Sequence, residues 1–244
     1  MSNVGAVILA DNTEKFDYIK LANVTAERVQ RKLNIPVEII TTDSKDNQRL
    51  YKNEKVEWRN LSRTSAYALS PFDRTIIIDA DYFVNDDTLL PHIHASFDFA
   101  IAKDMYDPAT GNPYIQQMGK SGIAQLWATV MIFNKSEIAE NIFAMADHIL
   151  DHYPYYAKLY NFNTFPKRND YAFTIACHLM GGYGNTDFSL KNFRLINCDF
   201  NTNVENINDD DILISYNRVE GKKHIQRVKS DLHIQNKNRL FELI

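Results

Sequence analysis

The first forty residues limit the fold more than any other stretch of the chain. Residues 4–9, Val-Gly-Ala-Val-Ile-Leu, are apolar throughout, the pattern of a strand buried on both faces. The run ends at Ala10-Asp11-Asn12-Thr13, which has the polar chemistry of a helix start. Ile19, Ala22, Ala26, Val29 and Leu33 then recur at helical spacing and form one apolar stripe. Pro36 opens a second strand over residues 37–41, closed by Thr42-Asp43-Ser44. A strand, a helix and a strand in so short a span imply parallel strands joined by a right-handed crossover.

The rest of the chain extends that unit. A helix is predicted near residues 61–69, and Ser70-Pro71-Phe72-Asp73 has turn chemistry. Thr75-Ile76-Ile77-Ile78 is a third buried strand, and residues 97–102 and 126–133 are further strands. Ser136 caps a helix with Ile138, Ile142, Met145 and Ile149 on one face. Residues 103–125 hold Pro108, Gly111, Pro113, Gly119 and Gly122 with little periodicity, and a loop of that length in a compact domain is usually functional or mobile. Residues 153–169 are crowded with aromatics: Tyr153, Tyr155, Tyr156, Tyr160, Phe162 and Phe165. A helix from Asp170 to just before Gly181-Gly182, late strands over 193–196 and 212–216, and a last helix over 237–243 complete the pattern. The fold class is α/β, a mixed and mainly parallel sheet with helices on both faces. No linker interrupts the 244 residues, so a single domain is expected.

Composition excludes several classes. With 45% hydrophobic and 24% charged residues the chain is globular, and a net charge of -4 argues against a uniformly basic nucleic-acid coat. Cys177 and Cys198 are too few for a disulfide framework. No apolar run approaches the ~18 residues of a membrane helix. No basic leader precedes Val4, so a cytoplasmic setting is expected.

The sharpest chemical feature is Asp79-Ala80-Asp81, directly after the Ile-rich strand. In an extended chain residues i and i+2 project to one face, so the two carboxylates converge at the strand's carboxyl end. Open α/β sheets place ligand crevices there. Adjacent anions repel, and a divalent ion shared with phosphate oxygens resolves the repulsion. A plain acidic turn is the alternative.

This arrangement, Asp-x-Asp after an apolar strand and behind an N-terminal strand–helix–strand unit, resembles the GT-A fold of nucleotide-sugar glycosyltransferases. The layout looks like that of the glycogenin-like group and of small phage-encoded transferases. The resemblance implies Mn²⁺ or Mg²⁺ held by Asp79 and Asp81 against the diphosphate of a nucleotide sugar, most simply a UDP-sugar, whose hexose or pentose is transferred. It implies a late metal ligand, His233, with His224 as competitor, and Lys237 beside it to neutralise phosphate. The Gly between His and Lys and the Pro-Trp after Lys that mark glycogenin-like chains are absent. It further implies that Ala10, Asp11, Asp43 and Ala80 lie against the nucleotide and that Arg63 grips the diphosphate. The strand at 127–133 would line the donor-sugar pocket. Asp170 would contact the transferred sugar, or act as base if the reaction inverts. Residues 1–90 would form the nucleotide-binding half, 91–215 the donor-sugar and acceptor half, and 216–244 a metal and phosphate segment.

The acceptor is less constrained. Arg218, Lys222, Lys223, Arg227, Lys229, Lys237 and Arg239 oppose only Glu220 and Asp231, a local charge of +5 on a body of -8 over the preceding 217 residues. Such a patch suits modified phage DNA, with a hydroxymethylated base flipped out and stacked on the aromatics of 153–165. The same cations also suit the diphosphate. Two other functions fit an Asp-x-Asp. One is a haloacid-dehalogenase-like phosphatase with Asp79 as nucleophile, although Phe83 stands where that family has Thr or Val. The other is a non-catalytic module that binds nucleotide or DNA.

Overall fold

The structure, a computed structural model, describes all residues except 1–2, 42–45, 52–53, 60–62, 112, 115–116, 185 and 218–220. Asp43 therefore lies outside the described residues. The N-terminal unit forms as expected: β1 (Val4–Leu9), α1 (Tyr18–Leu33) and β2 (Val37–Ile40), with β1 and β2 parallel. The helix starts later than its sequence implies. Asp17 caps it by accepting from the Lys20 N–H at 2.9 Å, and Asn12 accepts from the Ile19 N–H, so the residues after β1 stay in a loop. Asn34 ends α1 in the left-handed region.

A hairpin, β3 (Asp46–Tyr51) and β4 (Glu54–Arg59), follows. A 3-10 turn at Arg63–Ser65 leads into α2 (Ala66–Leu69), a shorter helix than expected. Next come β5 (Arg74–Ile78), β6 (Tyr82–Phe83), α3 (Leu90–Ile93) and β7 (Phe99–Ala102). The stretch expected as loop carries β8 (Asp104–Tyr106), β9 (Pro113–Tyr114) and a bridge between Gln117 and Ala124. Then follow β10 (Trp127–Asn134), α4 (Glu137–Asp151), α5 (Tyr153–Tyr160) and α6 (Asn169–Met180). The chain closes with β11 (Arg194–Cys198), β12 (Asn203–Ile207), β13 (Ile212–Asn217), β14 (Lys223–Val228), β15 (Leu232–Ile234) and α7 (Lys237–Phe241).

The central sheet runs β2-β1-β5-β10-β7. β1 is parallel to β2 and β5, while β10 is antiparallel to β5 and to β7. Four strands therefore point one way and β10 alone is reversed. From β1 the chain goes to β2 on one side and later returns to β5 on the other. The strand order switches direction between β1 and β5, where ligands bind in such sheets.

Alternation along the strands distributes the core. Ala6, Ile76, Ile78 and Ile132 pack toward Val29 and Leu33 of α1. Val7, Ile77, Met131 and Phe133 pack toward α4 and α6. Ser136 caps α4 as expected, but Ile138 is 47% exposed. The buried face is Ala139, Ile142, Phe143, Ala146, Ile149 and Leu150, because α6 packs against that side and leaves 138 on the flank. A second sheet, β6-β15-β11-β8-β9, and a β12-β13-β14 meander bring the C-terminal chain back to the carboxyl end of β5. No described helix is long and apolar enough to cross a membrane.

Candidate metal and phosphate site

After Ile78 the chain turns at once. The Asp79 N–H donates to Thr129 C=O at 3.1 Å, and the Tyr82 N–H donates to Asp79 C=O at 3.0 Å, closing a turn over Ala80 and Asp81. The carboxylates thus converge through a tight turn, not through the alternation of an extended strand. Thr25 of α1 holds this turn from below: its hydroxyl donates to Ala80 C=O at 2.6 Å, both residues being buried. The Ile234 N–H donates to Asp81 C=O at 3.0 Å, and β15 pairs with β6 so that His233 lies opposite Tyr82.

That pairing delivers the imidazole. His233 Nε2 lies 3.1 Å from Asp81 Oδ2 and 3.9 Å from Asp79 Oδ2. One ligand atom from each of Asp79, Asp81 and His233 falls within 4.8 Å of the other two. Asn197 of β11 is the register partner of His233, and its Oδ1 lies 2.7 Å from His233 Nδ1. The Gln235 amide donates to the same oxygen at 3.0 Å, which fixes the Asn197 amide with its oxygen toward the ring. Nδ1 then carries a proton and Nε2 faces the carboxylates, the usual outer-shell arrangement of a ligating histidine. His224 is elsewhere, on β14, stacked on Tyr216 at 5.9 Å between ring centroids.

Two cations cover the pair. Arg63, at the start of the 3-10 turn, contacts Asp79 Oδ1, and Lys237, at the start of α7, contacts Asp81 Oδ2 and Ile234 C=O. Burial pushes the Asp79 carboxyl up, against the pull of Arg63 and with the charge of Asp81 adding to the rise. Burial works the same way on Asp81, but His233 and Lys237 outweigh it and hold that carboxyl far below the usual range. Tyr18, the first residue of α1, faces the pair as well. Its hydroxyl is pushed up by burial and then by the charges of Asp81 and Asp79.

Asp170 sits on α6 with both oxygens engaged. Oδ1 accepts from the Ala128 N–H at 2.9 Å and Oδ2 accepts from Arg168 at 2.8 Å. Burial opposes its ionisation, yet Arg168 and then Arg63 hold the carboxyl low. The Ala128 N–H is available because β10 bulges: from Trp127 to Met131 it advances four residues while β7 advances one. Near this bulge Gln125 is only 1% exposed, and neither of its amide atoms, nor Trp127 Nε1, has a hydrogen-bond partner among the described residues. Ala10 and Asp11 lie buried at the end of β1, where the Ala10 N–H donates to Ile40 C=O at 3.0 Å.

The fold thus gathers Arg63, Asp79, Ala80, Asp81, His233 and Lys237, while Asp170 joins them through Arg63. Tyr18, Thr25, Asn197 and Arg168 were missed from the sequence. Thr25 carried a signal, as a polar residue in the buried stripe between Ala22 and Ala26; Asn197 carried none. The C-terminal cations are dispersed: Lys223 pairs with Glu205, Arg227 with Asp211, Arg239 with Glu242 and Lys237 with Asp81.

No protein-family model matches the sequence, and no curated protein matches it. Solved structures do. The galactosyltransferase LgtC in complex with donor and acceptor sugar analogs matches at 14% identity over 70% of this chain and 69% of its own, with a TM-score of 0.45. The glycosyltransferase GlyE of Streptococcus pneumoniae TIGR4 matches at 12% identity over 78% of this chain, with a TM-score of 0.44; the chain spans 45% of the GlyE length. A glycosyltransferase involved in glycosylation of the major capsid of PBCV-1 matches at 11% identity over 68% of this chain and 78% of its own, with a TM-score of 0.35. All three are described as glycosyltransferases, and the likeness is partial.

Proposed function

We propose that this chain is a divalent-metal-dependent glycosyltransferase of the GT-A type, moving a sugar from a nucleotide-sugar donor, a UDP-sugar in the simplest case, to an acceptor hydroxyl. One observation carries the reading. Asp79, Asp81 and His233 converge within 4.8 Å just past the carboxyl end of β5, with Arg63 and Lys237 laid on the same two carboxylates. A cluster of two anions, one imidazole and two cations is what an ion and a pyrophosphate need together.

The donor set fits a hard divalent ion. Two carboxylates and one imidazole, the latter held with Nε2 inward by Asn197, match the oxygen-rich chemistry of Mg²⁺ or Mn²⁺. Bound there, the ion would supply Lewis-acid stabilisation of charge growing on the leaving diphosphate. Arg63 and Lys237 would donate to the diphosphate oxygens, Arg63 in bidentate fashion. Ala10 and Asp11, at the end of β1, would meet the base and ribose, with Asp43 beyond the end of β2. Asp170 would orient the transferred sugar. Its carboxylate is held ionised with both oxygens occupied, which makes it a weak proton acceptor and favours retention over inversion. Against a phosphatase with Asp79 as nucleophile stands Phe83, where that family has Thr or Val. A DNA acceptor would need a free cationic strip, and four of the C-terminal cations are already paired.

A thermal-shift panel of nucleotide sugars with and without Mn²⁺ tests the reading. At 100 times Kd a ligand stabilises by about 2.7 kcal/mol, roughly 5–10 °C for a domain of this size. The shift should need donor and metal together and should vanish, with all transfer, in Asp79→Ala. Full activity in that variant, or no shift with any nucleotide sugar, overturns it.

A further inference from the structure

A cavity of about 420 Å³ opens beside the site, walled by Phe162, Phe165, Tyr171, Lys120, Asn163 and Arg168 among others. That volume lies within the usual range for small-ligand sites. Its wall is aromatic: Phe165 is 54% exposed, and the half-buried Phe162 and Tyr171 meet edge to face at 4.9 Å. Its floor is tied down. Arg168 lies over the Tyr171 ring at 4.9 Å and bonds to Asp170, and Gly119 approaches so closely that a Cβ there would meet the Asn161 carbonyl oxygen at 2.7 Å. The cavity also connects to the metal cluster through alternating charges. Arg168 pairs with Asp170, Asp170 feels Arg63, and Arg63 contacts Asp79.

We propose that this cavity is the acceptor subsite and that it takes a saccharide whose accepting unit carries a carboxylate or phosphate group. The proposal rests on the glycosyltransferase reading for the word acceptor, but not for the binding itself. The exposed Phe165 ring suits the apolar C–H face of a sugar, and the Asn163 amide suits its hydroxyls. Two cations and no carboxylate are among the lining residues. Arg168 is committed to Asp170, whereas among the described residues no carboxylate pairs with Lys120, so Lys120 is the cation left for an anionic substituent. One available cation is far short of what a nucleic-acid backbone engages, which favours a sugar over a duplex.

Ligand-detected NMR on the full chain tests this without donor. The probes are three disaccharides ending in glucose, glucuronate and glucose 6-phosphate, and a duplex carrying hydroxymethylcytosine. At least one anionic disaccharide should bind five-fold or more tighter than the neutral one. Phe165→Ala should weaken it ten-fold or more, and Lys120→Ala should remove the preference for the anion. The two anionic arms decide between carboxylate and phosphate. Equal binding of neutral and anionic probes, indifference to Phe165→Ala, binding of none of the sugars, or duplex binding that Phe165→Ala abolishes would each overturn the proposal. Both variants should keep the Mn²⁺-dependent nucleotide-sugar shift. Loss of that shift in the wild type counts against the enzyme and not against the cavity.

Discussion

Replacing Thr25 by valine isolates one hydrogen bond that couples α1 to the turn carrying Asp79 and Asp81, the proposed metal site. Valine matches threonine in volume, so packing against Ala22 and Val29 is retained while the hydroxyl is lost. The Ala80 carbonyl then loses its 2.6 Å donor in a buried setting, which costs about 1–3 kcal/mol. At roughly 2–4 °C per kcal/mol, the melting temperature of the metal-free protein should fall by roughly 2–12 °C. A second effect should separate this bond from ordinary core damage. Ala80 is the central residue of the turn that sets the spacing of Asp79 and Asp81, so Mn²⁺ affinity by calorimetry should drop roughly 10–100-fold, as for other outer-shell losses. Thr25→Ser keeps the hydroxyl and removes one methyl, so it should lose about 1 kcal/mol of stability with little loss of Mn²⁺ affinity. If valine binds Mn²⁺ as tightly as the wild type, or serine binds it worse than valine, Thr25 does not organise the turn.

Lys237→Met should lower kcat with a nucleotide sugar by roughly 10²–10³-fold if its ammonium stabilises the departing diphosphate, with Mn²⁺ affinity unchanged or higher; an unchanged kcat removes that role. Asp231 offers a pH test. Burial, then the charge of Asp86, raises its carboxyl from 3.8 to about 7, so between those values the folded state holds a proton that the unfolded state has released. Its stabilising contribution is complete below about pH 4 and is lost as pH rises through 7. Asp231→Asn keeps an oxygen for the Asn85 and Asp86 N–H groups, so in urea denaturation it should gain on the wild type from pH 4.5 to 8, by at most about 4 kcal/mol, and a difference constant with pH refutes the shift. Gln125→Met should raise stability by about 1 kcal/mol or more, because it removes two buried amide atoms without partners; a fall in melting temperature would show that the amide is satisfied.

The parts of the fold legible in the sequence are those fixed by local periodicity. β1, α1, β2 and β5 announce themselves through apolar runs and one helical stripe, and the Asp-x-Asp follows directly from the last of them. What stayed hidden depends on partners far along the chain. The start of α1 is set by Asp17 and by Asn12 reaching Ile19, not by the first polar residues after β1. The helix α5 was masked by aromatic density, although Pro154 near its start and Asn161 as a left-handed cap are helix signals. β8 escaped because it is three residues long and gains its order from β11, about ninety residues later.

The site divides along the same line. Asp79 and Asp81 are local in sequence, and their mutual repulsion says that something must compensate them. The sequence does not say where the compensation comes from. Arg63 precedes the pair, whereas His233 and Lys237 arrive more than 150 residues later, on a strand that hydrogen-bonds to Asp81 itself and a helix capped by Asn236. Asn197 orients the histidine only because β11 and β15 fall into parallel register. Burial disfavours ionisation of both carboxylates, and on Asp81 it is His233 and Lys237 that outweigh it, so Asp81 keeps its charge only once these remote elements have docked. The geometry that would grip a pyrophosphate and the packing of the C-terminal chain are therefore one event, and a chain that failed to place β15 would lose both.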